Sequence, residues 1–546
     1  MRYEGHFYRK VKLVELNVIR KSFRRASLKV ALCYPNVYRV GMSSLAIHII
    51  YTLLNSYENV LCERCFFIGR RVEPRTIEGN RDLREFDIVL FSISYEKDII
   101  NMITMLRRAG IPPLRKEREN EKYPIIGAGG IVVMENPTIL EEFMDVLFIG
   151  DAEAILPKVV DTLINNRERN NKKEVLENFV GIDGVYVPKY ASEYKEIRRS
   201  LALDLDSTLY PIRQVMFLDG PNELTPIYGK AYLMEISRGC PYWCRFCLLG
   251  YLCKPHRVRN LRRVIDILSQ GIPIVRSSGI EKVVLISSAI GNYPKLEELL
   301  SWLVKDQKLK ISIPSMRIDK MTYGIAELIH LGGQRTITFA PETGSERIMS
   351  IIGKGISFDS IIEVAKICRE VGFNNVKLYF IIGFPGERVE DIRAIAELIR
   401  RIIKVGFSIR EAVRITVTPL IPKPHTPFQW LPMENIRSIE KKIKLLREFL
   451  GNDSRIRLSV YNIYDALVQA IISKGDKNLS KAFLKVEDLG GDMRAWRSVI
   501  RDMRLEEYAY KRISPDEKLP WDIVNTGIPK YVLKRLYELS IGELSR

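Results

Sequence analysis

From residue 28 to 150, short runs of apolar and β-branched residues alternate with segments of helical periodicity. The runs are LKVALCY (28–34), NVLCERCFF (59–67), DIVLFSIS (87–94), YPIIGAGG (123–130) and MDVLFIGD (144–151). Nearly continuous apolar strands separated by amphipathic stretches belong to a parallel sheet covered on both faces by crossover helices. The pattern predicts a doubly wound, flavodoxin-like α/β domain over residues 1–151. A ligand of such a sheet lies beyond the carboxyl ends of its strands, where the sequence sets YPNVYRVG, SISYE, GAGGIVV and GDAE. Gly127, Gly129 and Gly130 let the backbone come close to a large flat ligand, or make ordinary tight turns.

Residues 152–226 show a helical pattern to about 166, then the polar run NNRERNNKKE and a tract of weak periodicity, and read as a connector. From 227 to 430 the alternation returns with six strand candidates. They are KAYLMEIS (230–237), KVVLISS (282–288), KISIPSMR (310–317), RTITFAPE (335–342), NVKLYFIIG (375–383) and AVRITVTPL (412–420). Six β/α units predict a partial (β/α)6 barrel with its chemistry at the carboxyl ends of the strands. Residues 431–546 read as a mainly helical C-terminal region without cysteine.

The 546 residues are 46% apolar and 28% charged, enough for several buried cores. No apolar stretch approaches the roughly 18 residues of a membrane helix, and the first residues, MRYEGHFYRKVKLVE, contain no apolar signal core, so a cytoplasmic protein is expected. Lysine and arginine number 85 against 66 acids, a net charge of +19. Such a surface draws anions: RNA, lipid headgroups, a phosphorylated substrate or an acidic partner. An ion-pair-rich surface of the heat-adapted kind also fits.

Three of the eight cysteines fall within eight residues, at Cys240, Cys244 and Cys247 in SRGCPYWCRFC, directly after the first barrel strand. Thiolates in this C-x-x-x-C-x-x-C spacing hold an iron–sulfur cluster or zinc. Three cysteines on a four-iron cube leave one iron open; a closed zinc site would recruit Cys253 or His256. The position at a barrel mouth favours the cluster. Cys62 and Cys65 lie on a predicted strand, where i and i+3 point to opposite faces, so they read as core residues, as do Cys33 and Cys368. His425, in IPKPHTPF after the sixth strand, either faces the substrate or anchors a loop.

The cysteine motif resembles the signature of the radical S-adenosylmethionine (radical SAM) enzymes. The resemblance implies a 4Fe-4S cluster on Cys240, Cys244 and Cys247, S-adenosylmethionine on the open iron, an external electron donor, and a 5′-deoxyadenosyl radical that attacks an unactivated position. It also implies that Tyr242 and Phe246 pack near adenine and cluster, and that Glu342 and Ser345 in FAPETGSE meet ribose and carboxylate. IIGFPGE resembles the adenine-supporting element through Ile381, Gly383 and Glu387. SSAIGN departs from the family's G-G-E, leaving Ser287 and Ser288 as oxygen donors, and Ser315 and Arg317 point towards the same mouth.

YPNVYRVGMSSL, IIGAGGIVVMENP, VLFIGDAE, LTPIYGKAYLMEIS, KLYFIIGFPGE, IPKPHTPFQW and KLPWDIVNTG extend the likeness from about residue 28 to 530. They resemble a branch in which a cobalamin-binding-like domain precedes the barrel. Where cobalamin domains carry D-x-H-x-x-G, this chain has Asn36-Val37-Tyr38-Arg39-Val40-Gly41, without histidine. Cobalamin, held by Asn36, Tyr38, Gly41 and the glycines at 127, 129 and 130, would lack a histidine lower ligand. The expected reaction is cobalamin-assisted methylation of an unactivated carbon on an unidentified substrate. Cobalamin-independent carbon–carbon bond formation and RNA modification are the alternatives within the family, and a zinc-knuckle nucleic-acid-binding protein is the alternative outside it.

Overall fold

The computed structural model describes residues 12–119, 122–165 and 171–544. Strand β1 (Leu28–Tyr34) pairs in parallel with β2 (Val60–Phe66) on one side and β3 (Ile88–Ser92) on the other. The sheet continues in parallel through β4 (Ile125–Gly129) and β5 (Val146–Phe148). The order β2-β1-β3-β4-β5 is doubly wound, with its switch point between β1 and β3. Alternate residues serve two cores: Val30, Leu32 and Cys62 face one, Ala31, Cys33 and Cys65 the other.

Most of the stretch expected as a connector is folded onto this domain. Helix Ala152–Asn165 buries Ile155, Leu156, Val159 and Val160. Strand β6 (Val185–Tyr186) adds antiparallel to β5, and Met216–Asp219 pairs with Val14–Leu16 in a separate ribbon. These strands are two to four residues long, too short for a period to register in the sequence.

The second unit is an open parallel barrel. Strands β7 (Tyr232–Glu235), β8 (Lys282–Ile286) and β9 (Lys310–Ser312) form one sheet. Strands β10 (Thr336–Glu342), β11 (Asn375–Ile382), β12 (Val413–Pro419) and β13 (Ile456–Val460) form the other. The Met316 amide, donating to the Thr338 carbonyl at 3.3 Å, bridges the two. All six predicted strands are present. The seventh, β13, comes from the C-terminal region; its alternating half-buried and exposed residues mark an edge strand with little apolar signal.

The two mouths face each other. Lys423, just past β12, reaches Glu96 beyond β3 and Glu135 beyond β4 (3.3 Å), and donates to the Ser473 hydroxyl at 2.8 Å. Tyr95 and Tyr461 share a 2.9 Å hydrogen bond, Lys97 pairs with Asp465, and the Asn136 amide donates to the carbonyls of Ser473 and Gly475. Helix Ile463–Lys474 thus clamps barrel to sheet. Among the described residues no helix is long and apolar enough to cross a membrane.

Candidate active site: a cysteine loop facing an interdomain cavity

The loop 239–250 is held at both ends. Gly239 has φ +84°, and a Cβ there would lie 2.2 Å from the Cys253 carbonyl, so only glycine allows this approach. The Lys254 ammonium donates to the carbonyls of Cys240 (3.0 Å) and Pro241 (3.1 Å) and lies 4.1 Å from the Trp243 ring centre. Buried Arg245 donates to the carbonyls of Ile351 and Ser350 and to the Ser540 hydroxyl, while its amide donates to the Ile352 carbonyl. The loop is therefore tied to the helix after β10 and to the C-terminal helix Lys530–Leu544. The Cys247 amide donates to the Cys244 carbonyl (3.0 Å), closing a turn between the two thiols.

Burial pushes the Cys244 thiol up to about 11, with the Lys354 and Arg317 cations acting in the opposite sense. Burial raises Cys247 as well, against amide donation from Gly250 and Leu249. Bound metal would deprotonate such thiols outright. Among the described residues no three Cys, His, Asp or Glu side chains converge as a single metal ion requires. Three thiols on one loop are the donor type that an iron–sulfur cluster takes. The donor set of Cys240, Cys244 and Cys247, with two cations to offset an anionic cluster, fits the cube.

Glu342 ends β10 after a break in its pairing with β11 and holds φ +71°, a left-handed conformation uncommon outside glycine. Its carboxylate accepts from the Lys354 ammonium at 2.6 Å, and Lys354 also donates to the Ala340 carbonyl. The Arg317 guanidinium stacks 3.9 Å from the Tyr242 ring centre and donates to the Lys354 carbonyl. Among the described residues the buried Tyr242 hydroxyl has no hydrogen-bond partner. Phe246 packs edge-on to Phe384 at 6.1 Å. Ser287 is occupied by Ser237 (2.7 Å) and the Ala289 amide, whereas Ser288 and Ser315 are exposed.

Two predicted contact residues are engaged within the protein. The Ser345 hydroxyl caps the helix Glu346–Ile351 and donates to Asp391 at 2.5 Å. Glu387 is buried, accepts from the Gly383 amide (2.7 Å) and pairs with Lys442 (3.0 Å); burial, opposed by Lys442, pushes it up to about 7. Its carboxylate braces the Gly383 turn, which has φ +89°, next to half-buried Ile381.

Between the two mouths lies a cavity of about 390 Å³. Leu45, Ile49, Leu90 and Phe148 give it an apolar wall, Gly129 and Gly130 a bare backbone edge, and Asp151, Glu153, Glu235 and Arg238 a charged rim. Gly130 has φ +112°, and a Cβ there would lie 2.4 Å from the Ile93 carbonyl. Arg238, two residues before Cys240, pairs with Glu153 (2.8 Å), Glu235 (2.9 Å) and Asp151 (3.2 Å), so the rim joins the sheet to the cysteine loop.

Other residues expected at a corrinoid lie elsewhere: Asn36, Tyr38, Gly41 and Gly127 do not line this cavity. The Asn36 amide donates to Asp98 and the Tyr38 hydroxyl to Glu15, each at 2.8 Å. A Cβ on Gly41 would strike the Phe66 ring, and one on Gly127 would press on Leu90 and Phe148, so these glycines serve packing. His425 is buried against the Glu135 carbonyl (3.1 Å), and burial pushes it down to about 4, which makes it a loop anchor. Lys354 carries no motif of its own, and Arg238 and Glu153 lie in SRGCPYWCRFC and GDAE without any sign there that they pair. Only their proximity in the fold reveals them.

With this geometry in hand, comparison with known proteins defines the class. Residues 46–188 match the family described as "Radical SAM proteins, N-terminal", and residues 234–399 match the radical SAM superfamily. The chain belongs to the radical SAM superfamily. Within it, the chain is 34% identical over 454 residues to the uncharacterised protein MJ0966 of Methanocaldococcus jannaschii, covering 83% of this chain and 90% of that one. It is 24% identical to an uncharacterised methyltransferase of Pyrococcus horikoshii, over 60% of this chain and 70% of the relative. It is 23% identical to the threonylcarbamoyladenosine tRNA methylthiotransferase of Aquifex aeolicus, over 74% and 90%. Its fold is similar to that of the radical S-adenosylmethionine methyltransferase TsrM of Kitasatospora setae, with a TM-score of 0.54 at 15% identity, over 87% of this chain and 99% of TsrM. The protein is a radical SAM enzyme.

Proposed function

We propose that this enzyme methylates an unactivated carbon, using a 4Fe-4S cluster on Cys240, Cys244 and Cys247, S-adenosylmethionine at the barrel mouth, and a corrinoid in the interdomain cavity. Reduced by an external donor, such a cluster supplies the electron that cleaves S-adenosylmethionine to methionine and a 5′-deoxyadenosyl radical. The chain's own residues bind, orient and exclude water. Tyr242 and Phe246 give adenine an aromatic flank, the Glu387-braced turn at Ile381–Gly383 supports it, and Arg317 and Lys354 set positive charge beside carboxylate and cluster. Glu342 would hold the ribose, and exposed Ser288 would offer an oxygen to the amino group. Gly129 and Gly130 let a flat macrocycle lie on the sheet, and the apolar wall keeps water from it.

The observation that carries this reading is the apolar, glycine-edged cavity whose charged rim ends two residues from the first cysteine. A relative named as a methyltransferase and a fold similar to TsrM, solved in one structure with cobalamin and a [4Fe-4S] cluster bound, support it. Protein made in cobalamin-supplemented cells should carry about one corrinoid per chain through gel filtration. Loss of the corrinoid with S-adenosylmethionine cleavage intact would replace methylation by cobalamin-independent radical bond formation.

A further inference from the structure

The helix-facing residues of β11 and β12 form the ordinary apolar side of a barrel sheet: Val376, Leu378, Phe380, Val413, Ile415 and Val417 are at most 1% exposed. The alternate residues face the lumen, since side chains alternate along a strand. Packed barrels of this class fill that space with branched apolar side chains. Here Lys377, Tyr379, Thr416 and Thr418 are half-exposed and Arg414 is exposed, so this wall of the lumen is polar and reached by solvent.

The parallel register sets Lys377 beside Arg414, and Arg414 beside Arg457 of β13. Like charges abreast on one face of a sheet destabilise it, and among the described residues only Arg457 of the three has a carboxylate partner. Arg457 pairs with Glu411 at 3.1 Å and is 60% exposed. The Lys377 ammonium lies 4.9 Å from the Tyr379 ring centre. Among the described residues, Arg414 has no carboxylate partner, and neither does exposed Lys310 of β9. Above the row come Tyr379, Thr416 and Ser459, and then Ile381 and Thr418 at the mouth. Four residues of strand separate row from mouth, about 13 Å at roughly 3.3 Å per residue.

We propose that Lys377, Arg414 and Arg457 hold the phosphate-bearing end of an elongated substrate whose other end reaches the cysteine loop. The identity of the reacting end rests on the radical SAM reading; the anion site does not. The polar column above the row hydrogen-bonds the chain between.

Titration of the holoenzyme with inorganic pyrophosphate by calorimetry tests the site without turnover, so failed S-adenosylmethionine cleavage would leave its result readable. The wild type binds pyrophosphate, and the double variant Lys377→Gln, Arg414→Gln binds it at least tenfold more weakly. Its unchanged iron content and visible spectrum would establish that it folds. Displacement of pyrophosphate by short-chain phosphatidic acid points to a lipid source, and displacement by a sugar phosphate to a water-soluble one; either supports the site. Equal affinities, or no binding by the wild type, overturn it. Binding of a single-stranded RNA in place of pyrophosphate, lost in the same variant, also overturns it and assigns the row to nucleic acid.

Discussion

The two mouths that face each other are built in opposite ways. Around the cavity the sheet of the N-terminal domain ends in glycine backbone and apolar side chains, with Asp151 and Glu153 on the rim and Glu96 and Glu135 set apart against Lys423. The barrel ends in thiols, ion pairs and a glutamate at positive φ. A smooth apolar edge can seat a large cofactor but offers no group to react. Buried thiols, opposed charges and local backbone strain are the features of a reacting centre. The barrel mouth therefore has the features of a reacting centre, and the sheet edge those of a cofactor bed.

Removing one member of a buried charge pair at the barrel mouth should cost most. Lys354→Ala strands the Glu342 carboxylate, and denaturant unfolding should report a loss of about 3 kcal/mol. Glu342→Gln combined with Lys354→Met, which removes both charges, should cost much less. Equal losses would mean that the pair does not act as a unit.

Glu387 gives the barrel mouth a pH signature. Its native value, about 7, lies above the ordinary carboxylate range, so the native state binds a proton that the unfolded chain has already released. Stability from this group is present below about pH 4.5 and is lost as pH rises to about 7. The total is up to about 3 kcal/mol at 1.36 kcal/mol per pH unit. Glu387→Gln should flatten that stretch of the stability–pH curve, and an unchanged slope would assign the effect elsewhere.

Filling the bed tests the other mouth. Ala46 lines the cavity, and Ala46→Trp should lower corrinoid retention at least tenfold, read by absorbance after gel filtration. Retention at the wild-type level would move the corrinoid out of this cavity. The smallest effect is expected for Cys65→Ala, a core truncation in the sheet, at about 1 kcal/mol with iron content unchanged. Loss of iron would reveal a second metal site.

Both sheets were legible because their strands are long apolar runs flanked by amphipathic helices, and the cysteine loop because three thiols in one loop have few other uses. The short strands Val185–Tyr186 and Met216–Asp219 were not legible, since so few residues show no period. The surroundings of Tyr38 and Gly41 were not legible, because a motif position carries no information about which way a side chain faces: one meets Glu15, the other packs on Phe66. The Glu342–Lys354 pair spans twelve residues, and Arg238 meets Glu153 across 85. Such partnerships exist only once the chain has folded.

The central claim is that Cys240, Cys244 and Cys247 together hold one redox-active iron–sulfur cube that cleaves S-adenosylmethionine. Anaerobically reconstituted wild type and the three single alanine variants, reduced with dithionite, should be compared for 5′-deoxyadenosine formation and low-temperature paramagnetic resonance. The wild type should give a reduced-cluster signal and product, and each variant neither. Product at the wild-type rate from one of the variants, or a colourless wild type holding zinc, would contradict it.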